Sequence, residues 1–197
     1  YVPFTYVGMI DSYSLTDADQ DSEEMFSASP YTRPLFIAEH NIMNDVSWKE
    51  LYDANAVFMY GKNCKVGNSG LGFYLRTPTG GSKPAEEASR GGIPQENEWD
   101  AILKKDAGLI KNDLKVYSWC QDMEAGSSTK RALRANGMAV WKSEDPEVKA
   151  GYRPVLEGSY DCRMDPKCIK ELTLNLGGGT LNGSAENIKI VIESKGS

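Results

Sequence analysis

The sequence predicts an α+β fold. Two short capped amphipathic segments stand in its first half, and a succession of short β-prone runs occupies much of the rest. Nineteen glycines and nine prolines among 197 residues supply the turns that so many short elements need.

The length suits one domain, or a domain with a small appendage. A content of 40% hydrophobic and 10% aromatic residues is that of an ordinary globular protein. The formal net charge of −6 and the lack of a basic run argue against a nucleic-acid partner, whose phosphates require Lys and Arg. No apolar run is long enough to span a bilayer. The first residue is Tyr1 rather than Met and no signal-peptide pattern is present, so the sequence reads as a processed chain, a fragment, or a sequence read from a mature particle.

Residues 1–10 are aromatic and branched with a proline near the start, which predicts a strand at a sheet edge. Residues 11–30 are polar and acidic. Asp17, Asp19, Asp21 and Glu23 alternate as at the opening of a calcium loop, but Ser22 stands where the loop needs glycine and Ala28 where it needs glutamate. A solvated acidic loop is the expectation. Leu35–Ala38 reads as a strand, and His40 beyond it as a hydrogen-bonded structural residue.

Ser47 and Glu50 form a capping box, so a helix is expected from Trp48 to about Ala56, with Trp48, Leu51, Tyr52 and Asn55 on one face. Val57–Tyr60 and Leu71–Arg76 read as strands flanking a Gly-Asn-Ser-Gly turn. Thr77–Gln95, with its Gly80-Gly81 and Gly91-Gly92 pairs, reads as a long surface loop. Asn97 caps a second helix, with Glu98 and Asp100 in its first turn, Trp99, Ile102 and Leu103 facing a core, and Lys104 and Lys105 near its end. Residues 171–176 and 187–193 alternate apolar and polar around a glycine-rich link and predict a hairpin, which alone is marginal and needs a surface or strand to pair with.

Four cysteines, Cys64, Cys120, Cys162 and Cys168, are compatible with two disulfides or with four buried thiols. Cys162 and Cys168 could close a small loop on spacing alone. Zinc is not expected, since no Cys-x2-Cys pair occurs and His40 is the single histidine. No cofactor is expected. The organisation read from the chain is an arm at 1–34, a domain at 35–160 and a hairpin extension at 161–197.

Five stretches, in order, resemble the landmarks of the formylglycine-generating-enzyme-like branch of the C-type lectin fold. They are Asn-Asp-Val-Ser-Trp at 44–48, Leu-Arg-Thr-Pro-Thr at 75–79 followed by Glu-Asn-Glu-Trp-Asp at 96–100, Tyr-Ser-Trp-Cys-Gln-Asp at 117–122, Arg131 with Leu133, Arg134 and Gly137, and Gly-Tyr-Arg-Pro-Val at 151–155. The resemblance spans roughly residues 44–157. It implies a C-type lectin-like fold, with two helices against small twisted antiparallel sheets and much loop, as in phage and bacterial display proteins that carry the domain. In that setting Trp48, Arg76, Trp99, Trp119, Arg134 and Arg153 are scaffold. Arg134 and Arg153 would fix loops through carboxylates or carbonyls.

The oxidising members of that family carry paired cysteines just before the closing Gly-Phe-Arg, whereas here 138–150 contains none; the iron-dependent relatives need several histidines. No serine-nucleophile motif is present, nor are the calcium-lectin tripeptides. The expectation is therefore a non-enzymatic binding protein at a virion or extracellular surface, displaying the loops 124–128 and 137–150. Its candidate contact residues are Glu124, Ser127, Ser128, Met138, Trp141, Lys142 and Glu144, and its ligand a cell-surface protein or glycan. The alternative is a structural subunit of a capsid decoration, tail or filament that assembles as a homo-oligomer, or with other virion or surface subunits, through its terminal β-segments.

Overall fold

The computed structural model describes residues 2–10, 33–58, 62–66, 71–85, 91–93, 96–110, 116–135, 137–158, 172–174 and 188–193. The acidic stretch 11–30, the turn 67–70, the Cys162–Cys168 loop and the link 177–184 lie outside them. The fold is α+β, with two helices and several small sheets.

The larger sheet has seven strands: β1 (Val2–Ile10), β2 (Arg33–Ala38), β4 (Lys62–Val66), β5 (Leu71–Arg76), β12 (Val155–Gly158), β13 (Leu172–Leu174) and β14 (Ile188–Glu193), where β3 is the short strand Met43–Val46 of the second sheet. Their spatial order is β13-β14-β1-β2-β12-β5-β4. The sheet curls, and its two outer strands, β13 and β4, approach one another. β13 and β14 pair antiparallel, the hairpin that the alternating residues predict, and β14 then runs parallel to β1.

The expectation that residues 1–10 form an edge strand is corrected: β1 lies between β14 and β2. Pro3 is tolerated because pairing with β2 starts only at Phe4, so its missing N–H removes no bond on that side. The register against β2 slips between Tyr6 and Gly8, leaving a bulge at Val7. Gly8 takes φ +101°, a conformation that favours glycine, and the Lys105 ammonium donates to the Val7 carbonyl.

The second sheet has five strands, in the order β10-β9-β8-β11-β3: β8 is Ser118–Met123, β9 Lys130–Ala135, β10 Met138–Ser143 and β11 Ala150–Tyr152. Its two faces are covered differently. Helix α1 (Trp48–Asp53) brings Trp48 and Leu51 against Trp119, Leu133 and Tyr152 on one face. Helix α2 (Glu98–Lys105) brings Trp99 and Ile102 against Cys120 and Ala132 on the other, together with Val7, Leu35, Ile37 and Val155 from the seven-stranded sheet. The alternation of neighbours along β8 and β9 between these clusters is the period-2 geometry of a strand. A two-stranded ribbon, β6 (Lys83–Pro84) with β7 (Gly92–Ile93), forms a third sheet.

Both helices start as their capping residues predict. Ser47 Oγ accepts from the Glu50 amide at 3.1 Å, and the Glu50 carboxylate takes the Ser47 amide at 2.7 Å. Asn97 Oδ1 accepts from the Asp100 amide at 2.9 Å. Helix α1 ends at Asp53, earlier than the expected Ala56, because Asn55 adopts φ +54° and Ala56 turns into the core. The strand expected at 57–60 is not found at Val57 and Phe58. These apolar side chains fill the α1 cluster from irregular backbone, and the partner of β5 is β4, at Lys62–Val66.

Candidate functional site

Residues 77–82 do not form a surface loop. They run as an extended strap through the interior between α2 and β8, and each of them is buried. The expected loop is inside because its backbone groups find partners at depth, as buried amides and carbonyls must. The Thr77 amide donates to Val57 O at 3.1 Å, the Gln121 amide to Pro78 O at 3.1 Å, and the Trp99 amide to Thr79 O at 3.1 Å. The Thr79 amide donates to Glu98 Oε2 at 2.9 Å, and Thr79 Oγ1 accepts from the Glu98 amide at 2.8 Å. The Gly80 amide donates to Asp122 Oδ2 at 2.5 Å, and Arg134 Nη1 donates to Gly80 O at 2.7 Å.

Strand β8 is shaped to receive the strap. Its register with β9 holds at Ser118↔Arg134 and Trp119↔Leu133 and resumes at Met123↔Arg131, so Cys120, Gln121 and Asp122 together oppose the single residue Ala132. This bulge releases the Gln121 amide to Pro78 and the Cys120 carbonyl to Trp48 Nε1, at 3.1 Å. The glycines allow the close approach: a Cβ on Gly80 would lie 2.7 Å from Cys120 Sγ, and one on Gly92 would lie 2.2 Å from Gly80 O.

Three arginines organise the charge here. Arg76 grips Glu98 with both terminal nitrogens, at 2.7 and 2.5 Å, and donates through Nε to Glu157 at 2.8 Å. Burial pulls the Arg76 guanidinium down, but Glu98 and Glu157 more than offset it, and the group is held above its ordinary value. Arg134 forks onto Asp100 and donates through Nε to Met138 O at 3.0 Å. Arg153 Nη1 donates to Glu39 O at 2.5 Å. The Arg134 and Arg153 guanidiniums lie 5.9 and 6.0 Å from the Trp99 ring centre. The Cys120 thiol is fully buried; burial pushes its pKa well above the usual thiol range, although Arg134 pulls the other way. Such a thiol is not a nucleophile at neutral pH.

The candidate contact residues fall into two groups. Glu124, Ser127 and Ser128 occupy the β8–β9 connection, and Lys142 and Glu144 lie beside it at the end of β10. Glu124 pairs with Lys130 at 2.9 Å, and Glu144 with Arg131 Nε at 2.7 Å. Ser127 Oγ accepts from the Thr129 and Lys130 amides at 3.3 and 3.2 Å, and Gly126, at φ +83°, makes the turn. Ser128 and Lys142 are exposed. Met138 stands at the other end of β10, beside Tyr117, and is 51% exposed. Trp141 is half-buried on the α2 face, its Nε1 donating to Gly81 O at 3.3 Å, so it holds the strap more than it faces outward. Trp48, Arg76, Trp99, Trp119, Arg134 and Arg153 are all interior.

The ribbon β6–β7 joins this region, which sequence reasoning does not foresee. Its stem is tied to both groups: the Ala125 amide donates to Ser82 O and the Gly91 amide to Gly137 O, each at 2.7 Å. The paired glycines were the available signal, since glycines that pack backbone on backbone mark close approach as well as turns. Among the described residues no cluster of three or more His, Cys, Asp or Glu could hold a metal ion, and no helix is long and apolar enough to cross a membrane. Comparison with protein-family models, curated proteins and solved structures finds no match to this chain.

Proposed function

We propose that the protein is a non-enzymatic binding module of C-type lectin-like fold, displayed at a virion or extracellular surface. Its contact face is formed by the β8–β9 connection, the end of β10 and the β6–β7 ribbon. The observation that supports this reading most is the contrast between the two layers. Beneath the rim Arg76, Glu98 and Glu157 are locked to one another in the interior and Arg134 is forked onto the half-buried Asp100, whereas at the rim Ser128 and Lys130 on the β8–β9 side and Lys142 and Asp145 at and just past the end of β10 are exposed. A rigid base under short polar turns is what a recognition surface needs, because little order has to be gained on binding. The ligand chemistry that suits a mixed-charge, hydroxyl-bearing rim is a polar one, a cell-surface protein or glycan.

The test is binding to cell surfaces and glycan arrays by the full chain and by a triple rim variant, Ser128→Arg, Lys130→Glu and Lys142→Glu. Binding by the parent and at least a tenfold loss in the variant, with near-ultraviolet tryptophan dichroism intact, is the expected result. Equal binding by both would move the site elsewhere. A second reading, a structural subunit that assembles through its terminal β-segments, is supported by the placing of the terminal strands β1, β13 and β14 side by side in the seven-stranded sheet, where strands of another copy would pair in their stead. A mass that rises with concentration for the intact chain would favour it.

A further inference from the structure

We draw no further inference here: the strongest candidate, the surface patch at the start of β10 where the exposed Met138 stands beside Tyr117, is an apolar face, and nothing in the structure shows what covers it.

Discussion

Arg76 and the carboxylates around it show at single-residue scale why the interior tolerates charge. Its side chain is 3% exposed, and those of Glu98 and Glu157 are 2% and 4%. Two acids on one base would be costly without geometry, and the geometry is a fork: a planar guanidinium meets Glu98 with two parallel bonds and reaches Glu157 with its third nitrogen. Arg76→Met removes the base and strands both carboxylates, so a loss of about 3–5 kcal/mol in urea-induced unfolding is expected. Arg76→Lys keeps the charge but not the fork and is expected to lose less. A loss under about 1 kcal/mol for the Met variant would mean that water already reaches the acids. The sequence marks Arg76, Arg134 and Arg153 through their setting in recognisable stretches, but it carries no sign of depth for Asp122. An aspartate after Ser-Trp-Cys-Gln looks like any strand-end acid until β8 is seen to bulge.

Elements whose cause is local were legible, and those whose cause is distant were not. Helices α1 and α2 start where Ser47 and Asn97 put them, since a cap and its amide are three residues apart. The hairpin β13–β14 was legible from its alternation, and β9–β10 had one signal, the Asn136-Gly137 dipeptide between its strands, while the Lys-Arg-Ala-Leu-Arg-Ala of β9 is made of helix formers and hid the strand. The strap was not legible: its burial depends on Glu98, Gln121, Asp122 and Arg134, from 19 to 54 residues away in sequence for individual bonds. The capping box of α1 offers a test at this scale. The Lys149 ammonium, and then the Ser47 amide and hydroxyl, hold Glu50 below the usual carboxylate range. With a folded value depressed below the unfolded one, its contribution is present above the ordinary carboxylate pKa and lost as pH falls through the lowered value. Ser47→Ala removes one of those donors and the helix cap together. It is expected to cost about 1 kcal/mol near pH 7 and to flatten the acid limb of the stability profile, measured by thermal melts between pH 3 and 7.

At the scale of the whole molecule, the two large sheets share one wall. Val7, Leu35, Ile37 and Val155 of the seven-stranded sheet pack with Trp99, Ile102, Cys120 and Ala132, so α2 is clamped between the sheets. The terminal segments enter this plan through β1, which is hydrogen-bonded on one side to β2 and on the other to β14. Strand β14 therefore shields the first part of the β1 edge, Val2–Thr5, in a strand whose Phe4 and Val7 lie in the core. Removing residues 171–197 uncovers that edge while leaving the two tryptophan clusters, around Trp48 with Trp119 and around Trp99, without any loss of their own residues. The truncated chain is expected to keep the near-ultraviolet dichroism of its tryptophans but to self-associate, its mass by light scattering rising with concentration where that of the intact chain rises less. The driving force is backbone pairing at a newly open strand, so a proline placed at Thr5, whose backbone lies in the ladder to β2 and β14, should weaken both folding and association in the truncated chain. A truncated chain no more prone to associate than the parent would show that β14 is not what guards β1, and that the curl of the sheet toward β4 protects that edge without it.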